Sequence, residues 1–343
     1  MRWRATRRRC SVSKAGSVRL DGLVTMDVEQ AAGRLAAGEL VAFPTETVYG
    51  LGARADDASA VAKIFAAKGR PAEHPLIVHV ADPAQIGRFT AEVPTVAQRL
   101  IDAFWPGPLT VILTRRPDIA AAAAGGQPSI GLRCPSHPVA RALLAAAQRR
   151  GVPGVAAPSA NRFGRVSPTT AAHVRDEFGD ALAVLDGGPC EIGIESSIVD
   201  CSRARPVLLR PGVLTAARIA AAAGEALGAP DSDAPRAPGT LAAHYAPNAR
   251  VRLMPTALLH TALQVLGEPS STLAVYSRGA PPAAARGIRH RRMPASPAQV
   301  AQELFAVLRE LDAEGVQLIW VEEPPPEPEW DGVRDRLQRA AAA

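Results

Sequence analysis

The sequence predicts an α/β fold: a twisted mixed sheet with helices around it, followed by a smaller, Rossmann-like α/β domain. Three observations carry this. Short apolar runs of strand length recur through the first 210 residues, separated by stretches of helical periodicity. Strands and helices mix without strict βαβ alternation, which favours a mixed sheet over a doubly wound parallel one. A stretch rich in Ala, Pro, Asp and Gly, from Gly228 to Pro238, then precedes a remainder with apolar segments of its own.

Asp27 to Gly38 reads as a short amphipathic helix leading into a buried strand, Leu40 to Phe43. Asp56 and Asp57 offer N-caps to a helix through Lys63 and Phe65, with Gly69 at its C′ position. Leu76–Val80, Leu109–Leu113 and Ser129–Arg133 read as strands, with a helix over Val96–Phe104. Pro138 can start a helix to Arg149. Val155–Ala157 is a short strand and Thr170–Phe178 a helix. Ala183–Asp186, Ser197–Asp200 and Val207–Arg210 are three further strands, and Thr215–Leu227 is a terminal helix. Beyond the linker, Arg250–Met254, Thr272–Tyr276 and Val316–Val321 look like strands, Gln299–Leu311 and Val333–Arg339 like helices. The expected organisation is a basic, disordered tail over 1–25, a main domain over 26–227, a linker over 228–249 and a small domain over 250–339.

Hydrophobic residues make up 47% of the 343, ample for a core. The net charge of +6 misleads: residues 1–25 hold seven Arg and Lys against one Asp, so the tail carries all of it. The neutral remainder gives no support to a nucleic-acid-binding body. No apolar run approaches the ~20 residues that span a bilayer. The tail lacks the apolar region of a secretory signal; Arg-rich and acid-poor, it suits an organellar transit peptide, but a solvated arm, or untranslated sequence before a start at Met26, is the expected reading for a cytoplasmic protein. Cys10, Cys134, Cys190 and Cys201 form no C-x-x-C pair, which predicts free thiols and neither a structural metal nor a disulfide framework.

Five segments hold the chemistry. Phe43 to Gly52 runs from strand into Thr45, Glu46, Thr47 and Tyr49, polar groups at a sheet end where α/β proteins bind ligands. Lys68-Gly-Arg-Pro71, followed by His74 and His79, sets two cations on a turn. They can close on an anion or simply be solvated beyond a helix end, and His79 can be a core histidine. Pro158 to Thr169 supplies Ser159, Asn161 and Ser167. Ser167-Pro168 suits either an anion at a helix start or an ordinary N-cap. Gly193–Asp200 and Leu209–Gly212 add Ser196, Ser197 and Arg210, while Ser129 and Arg133 share one strand face. No P-loop, G-x-G-x-x-G or G-x-S-x-G is present, so a nucleotide would be held by scattered hydroxyls and cations.

Taken in order, Phe43–Gly52, Lys68-x-Arg70 with Pro75-Leu76, Pro158–Thr169, Glu195–Asp200 and Arg210-Pro-Gly212 resemble the YrdC-like threonylcarbamoyl-adenylate synthases. Pro238-Gly-Thr-Leu-Ala-Ala-His-Tyr-Ala-Pro247 resembles the linker of the family's long, two-domain form. The resemblance implies a YrdC-like sheet with a large, positively lined concave cavity, and a nucleotidyltransferase reaction. L-threonine, bicarbonate or carbon dioxide, and ATP would give threonylcarbamoyl-AMP and pyrophosphate. Downstream transferase proteins would use the product to modify tRNAs that read ANN codons. Thr47, His79, Arg133, Ala157 and Ser197 would then contact threonine. Lys68, Arg70, His74, Ser129, Ser159, Asn161, Ser167 and Arg210 would line the ATP side, with Tyr245 as a lid. Lys68, Arg70 and a Mg²⁺ on the phosphates would neutralise charge at the reacting centre. Ser197 stands where the family often has Thr, and Thr240 to Ala243 replace a bulkier basic stretch. An RNA-binding module, with at most weak RNA affinity, is the alternative reading. Hydrogenase-maturation proteins carry extra zinc-finger and acylphosphatase-like segments that this sequence lacks.

Overall fold

The computed structural model describes residues 26–266, 272–279 and 288–343, with a short ladder of β1 (Arg19–Leu20) and β2 (Leu23–Val24) before them. The expected disordered tail, and Cys10, otherwise lie outside the described residues.

The main sheet has eight strands: β3 (Val41–Phe43), β4 (Gly50–Arg54), β5 (Ile77–His79), β6 (Leu109–Thr114), β7 (Ser129–Arg133), β8 (Val155–Ala156), β9 (Ser197–Asp200) and β10 (Val207–Arg210). Their order is β10-β9-β6-β7-β5-β8-β4-β3. Only β5/β7 and β6/β9 pair in parallel, so the sheet is mixed, as its sequence pattern predicts. Six helices accompany it: α1 (Val28–Ala36), α2 (Ala58–Lys68), α3 (Thr95–Phe104), α4 (Pro138–Arg149), α5 (Ala171–Phe178) and α6 (Ala216–Ala223).

Period-two alternation gives the sheet two faces. In β7, Ile130 and Leu132 enter the core with Leu109, Val111, Val78, Leu100 and Ile64. Ser129, Gly131 and Arg133 point the other way, into a concavity. Helices α1 and α4 form a second core with Val41, Phe43 and Val155 through Ala31, Leu35, Leu143 and Leu144. Helix ends follow their local chemistry. Asp27 and Gln30 close a capping box on α1. Asp57 accepts from the Ser59 and Ala60 N–H groups to start α2, and Gly69 ends it in the left-handed region at φ 62°. That stop turns Arg70 toward the concavity.

The second sheet is parallel, in the order β11 (Arg250–Met254), β14 (Leu318–Glu322), β12 (Leu273–Ser277), β13 (Arg289–Arg292). Helices α7 (Thr256–Val265), α8 (Pro297–Ala313) and α9 (Asp331–Ala341) go with it. It shares one core with the first domain: Val48, Val166, Ile194 and Tyr245 pack with Phe305, Leu304, Val333 and Leu337. Two glycines permit this contact. A Cβ on Gly193 would lie 2.3 Å from the Ala301 carbonyl oxygen, and one on Gly332 2.6 Å from that of Gly212.

Some expectations need correction. Ala183–Asp186 is not a strand; it makes a single bridge to β3, with Ala42 N donating to Ala183 O at 2.8 Å and Leu185 N to Ala42 O at 2.8 Å. Helix α6 ends at Ala223, where Gly224 turns left-handed at φ 74°. Asp56 does not cap α2; it pairs with Arg54 at 2.8 Å. Strands β4 and β13 and helix α7 were not expected.

Candidate active site

The concave face of the first sheet and the linker enclose a cavity of about 530 Å³. Thr45, Thr47, Val48 and Gly50 form one wall. Ile77 and His79 of β5, with Arg133 of β7, form the floor. Ala157, Pro158 and Ser159 follow β8, and Glu195, Ser196 and Arg210 face them. Pro238, Gly239, His244 and Tyr245 roof it. The linker divides one concavity, because two further spaces adjoin it. One of about 410 Å³ shares Arg70, Gly239 and His244 and adds His74, Phe163 and Arg236. One of about 260 Å³ shares Ile77 and Pro238 and adds Thr110, Ile112, Ser129 and Ile198.

The threonines of the first motif build their own scaffold. Thr45 Oγ1 donates to Val48 O at 2.7 Å and accepts from the N–H groups of Thr47 and Val48 at 3.2 Å each. Thr47 Oγ1 thereby faces Arg133, whose Nη1 donates to it at 2.9 Å. Arg133 Nε donates to Gly107 O at 3.2 Å, and Nη2 lies 2.8 Å from the buried Glu46 carboxylate. One N–H on each terminal nitrogen remains for an incoming carboxylate. Burial alone would raise the Glu46 carboxyl, but the Arg133 guanidinium outweighs it and holds the group below the usual range. His79 sits beside this pair with Nδ1 unpartnered. Burial, then the nearby Arg133 charge, pushes its pKa down to about 3, so the ring is neutral.

The opposite end is cationic. Arg210 Nε and Nη2 donate to Ser196 O at 3.1 and 2.9 Å, and Nη1 to Pro238 O at 2.9 Å. Arg70 Nη2 donates to Pro75 O at 3.0 Å, its Nε is buried without a partner, and its guanidinium lies 5.8 Å from the Phe163 ring centre. Burial lowers the Arg70 pKa to about 10, which leaves it charged at neutral pH. Tyr245 holds a positive φ of 62° in the linker, its hydroxyl buried and unpartnered. No group of three or more His, Cys, Asp or Glu that could hold a metal ion exists among the described residues.

A profile of the Sua5, YciO and YrdC proteins, described as "Telomere recombination", matches residues 34–212. One described as "Threonylcarbamoyl-AMP synthase, C-terminal domain" matches residues 214–342. The chain belongs to the threonylcarbamoyl-AMP synthase family. A Pyrococcus abyssi threonylcarbamoyl-AMP synthase is 44% identical over 227 residues, 64% of this chain and 66% of that protein. The Schizosaccharomyces pombe enzyme of the same name is 35% identical over 351 residues, 88% of this chain and 85% of that one. The crystal structure of P. abyssi Sua5 complexed with L-threonine superposes with a TM-score of 0.82 at 36% identity, covering 92% of this chain and 94% of that one. The resemblance drawn from the five motifs is thus borne out, as is the fold.

In this member of the threonylcarbamoyl-AMP synthase family, Thr47, Arg70, His79, Arg133, Ala157, Ser159, Arg210 and Tyr245 come together around the main cavity. His74 and Ser129 line the two flanking spaces. Four expected residues stand behind the wall. Lys68 Nζ donates to Ser159 O at 2.6 Å and to Asn161 O, so its buried side chain holds the turn, and burial, then the Arg70 charge, pushes its pKa well down. Asn161 Nδ2 donates to Arg162 O at 2.7 Å and Arg165 O at 2.9 Å within that same turn. Ser167 Oγ donates to Glu195. Ser197 points to the core side of β9, its Oγ donating to Leu214 O at 3.3 Å, while Ser196, one residue earlier, faces the cavity. Tyr49 also turns away, its hydroxyl donating to Gly188 O at 2.8 Å. Thr45 and Ser196, noted in the sequence but given no substrate, also line the cavity, as do Glu195 and His244, which were not singled out although the quoted motifs contain them.

Proposed function

We propose that this chain joins L-threonine, bicarbonate or carbon dioxide, and ATP into L-threonylcarbamoyladenylate, releasing pyrophosphate. One observation supports this best: a single cavity has an amino-acid-sized polar end at Thr47, His79 and Arg133 and a phosphate-suited end at Arg70 and Arg210. A solved relative is complexed with L-threonine. On this reading the substrate carboxylate takes the two spare N–H groups of Arg133, against Thr47 and the Ala157 backbone. The neutral His79 Nδ1 accepts from its hydroxyl or amine. The amine captures carbon dioxide and loses a proton to give a carbamate, whose oxygen attacks the α-phosphorus. Pyrophosphate then leaves with the bonding electron pair. Arg70 and Arg210 neutralise the phosphates, while Ser159, Ser129 and His74 border the nucleotide.

The chain itself makes no nucleophile; it contributes proximity, orientation and charge. Mg²⁺ would arrive on the triphosphate, since the donor set here is poor in free carboxylates: Glu46 and Glu195 are both committed to arginines. The product would pass to transferase proteins acting on tRNA in the cytoplasm. No described helix is long and apolar enough to cross a membrane, and no observation favours the RNA-binding alternative. Pyrophosphate release from ATP is the test. It must depend on both L-threonine and bicarbonate, and release indifferent to either would refute the reading.

A further inference from the structure

The second domain places one residue against the catalytic cavity from behind. Arg336 of α9 has a side chain with 0% exposure, and it is the largest fully buried side chain among the described residues. Its Nε donates to Glu195 Oε2 at 2.8 Å and its Nη2 to Glu195 O at 3.1 Å. Its Nη1 donates to Pro211 O and to Asp335 Oδ2, at 2.8 and 2.7 Å. The guanidinium also lies 5.3 Å from the Tyr245 ring centre. Glu195 and Ser196 are thus gripped by guanidinium groups from two domains, since Arg210 holds the next carbonyl oxygen, that of Ser196. Arg339, one turn on, donates to the linker carbonyl Leu241 O and accepts from His244 N at 3.2 Å.

The charges around the cavity explain why this matters. Arg70, Arg133, Arg210, Glu46 and Glu195 line or border it. Glu46 is neutralised from within by Arg133. Glu195 has no bonded cation from its own domain: Ser167 gives it a hydrogen bond, and Arg210 acts on it only through its nearby charge, its donors going to Ser196 and Pro238. Without a further cation, a carboxylate would sit beside the two arginines best placed for a triphosphate, and would repel it.

We propose that Arg336 is a positioning residue for nucleotide binding, masking the Glu195 charge and fixing the Glu195–Ser196 wall, so that the ATP end of the cavity is completed by the second domain. This rests on nucleotide occupying the cavity. The test therefore begins with binding of α,β-methylene-ATP and Mg²⁺ to the full-length wild-type chain by titration calorimetry. If wild type does not bind, the nucleotide reading itself fails. Given wild-type binding, Arg336→Gln removes the charge and should weaken the analogue roughly tenfold or more. Arg336→Lys keeps a cation but not the fork that holds the wall, so its loss should be clearly smaller than that of the Gln variant without being absent. Adding Glu195→Gln to Arg336→Gln should restore most of the affinity, since it removes the charge that had been uncovered. Equal losses in the Gln and Lys variants, no loss in the Gln variant, or no recovery in the double variant would each overturn the proposal. Should Arg336→Gln not fold, Glu195→Gln alone decides. With Arg336 intact it must bind the analogue more tightly than wild type, and equal or weaker binding sinks the idea.

Discussion

Buried ionisable side chains define this cavity, and each one has a measurable consequence. The Glu46–Arg133 pair has side-chain exposures of 3% and 4%. Glu46→Ala leaves the guanidinium unpaired in the interior and should cost about 3–5 kcal/mol of stability, read by urea denaturation. Arg70→Ala should lower turnover by orders of magnitude, since losing one well-placed donor costs ~3 kcal/mol; near-normal pyrophosphate release would contradict its role. His79 and His244 both have pKa values pushed down to about 3 by burial. Between roughly pH 6.5 and pH 3 the unfolded chain binds protons that the folded one refuses. Stability should therefore be complete above pH 6.5 and fall on acidification, by up to about 1.4 kcal/mol per pH unit for each histidine. Replacing His79 with Gln should flatten that slope in a pH series of melts. The sequence identified most of these side chains because their types suit the chemistry. It did not separate the cavity wall from the layer behind it. Lys68 and Asn161 show why: their partners are backbone carbonyls, which any residue supplies and no pattern marks.

Among the elements, strand β7 was the easiest to read, because alternation alone assigns Arg133 to the concave face and Leu132 to the core. The same rule sets Ser197 with Val199 on the core side and Ser196 on the cavity side; Ser197 was expected at the site from the family resemblance, not from alternation. Strand β4 was missed because Gly50 and Gly52 look like turn residues. The reason for glycine is spatial: a Cβ at Gly52 would come within 2.8 Å of the Phe43 ring and 2.9 Å of Val155. The linker offers a sharper test. Gly239 holds φ +72°, and a Cβ there would lie 2.1 Å from the Tyr245 hydroxyl and 2.9 Å from Arg210 Nη1. Gly239→Ala should displace Tyr245 and raise KM for ATP, at a stability cost of about 1–3 kcal/mol, because a side chain is strained at that φ and Tyr245 belongs to the shared core.

At the scale of the molecule, the two sheets are separate while the hydrophobic packing between them is shared. Val48, Val166 and Ile194 of the first domain sit in one cluster with α8 and α9, and Arg309 of α8 pairs with Glu177 of α5 at 2.7 Å. A chain cut at Leu227 would expose those three side chains and leave Glu195 without its partner. It should aggregate or melt well below the full chain in calorimetry, even though its own sheet is intact. The proline- and glycine-rich segment was legible as a junction, but the docked interface was not, because its contacts join residues more than a hundred positions apart. Backbone meets backbone at Gly193 and at Gly332, with no room for even one methyl group. The consequence is for transplantation: a chimera that borrows its C-terminal half from another chain can seat only if both halves keep these bare positions. A Gly332→Ala wedge would part the halves at the helix that carries Arg336.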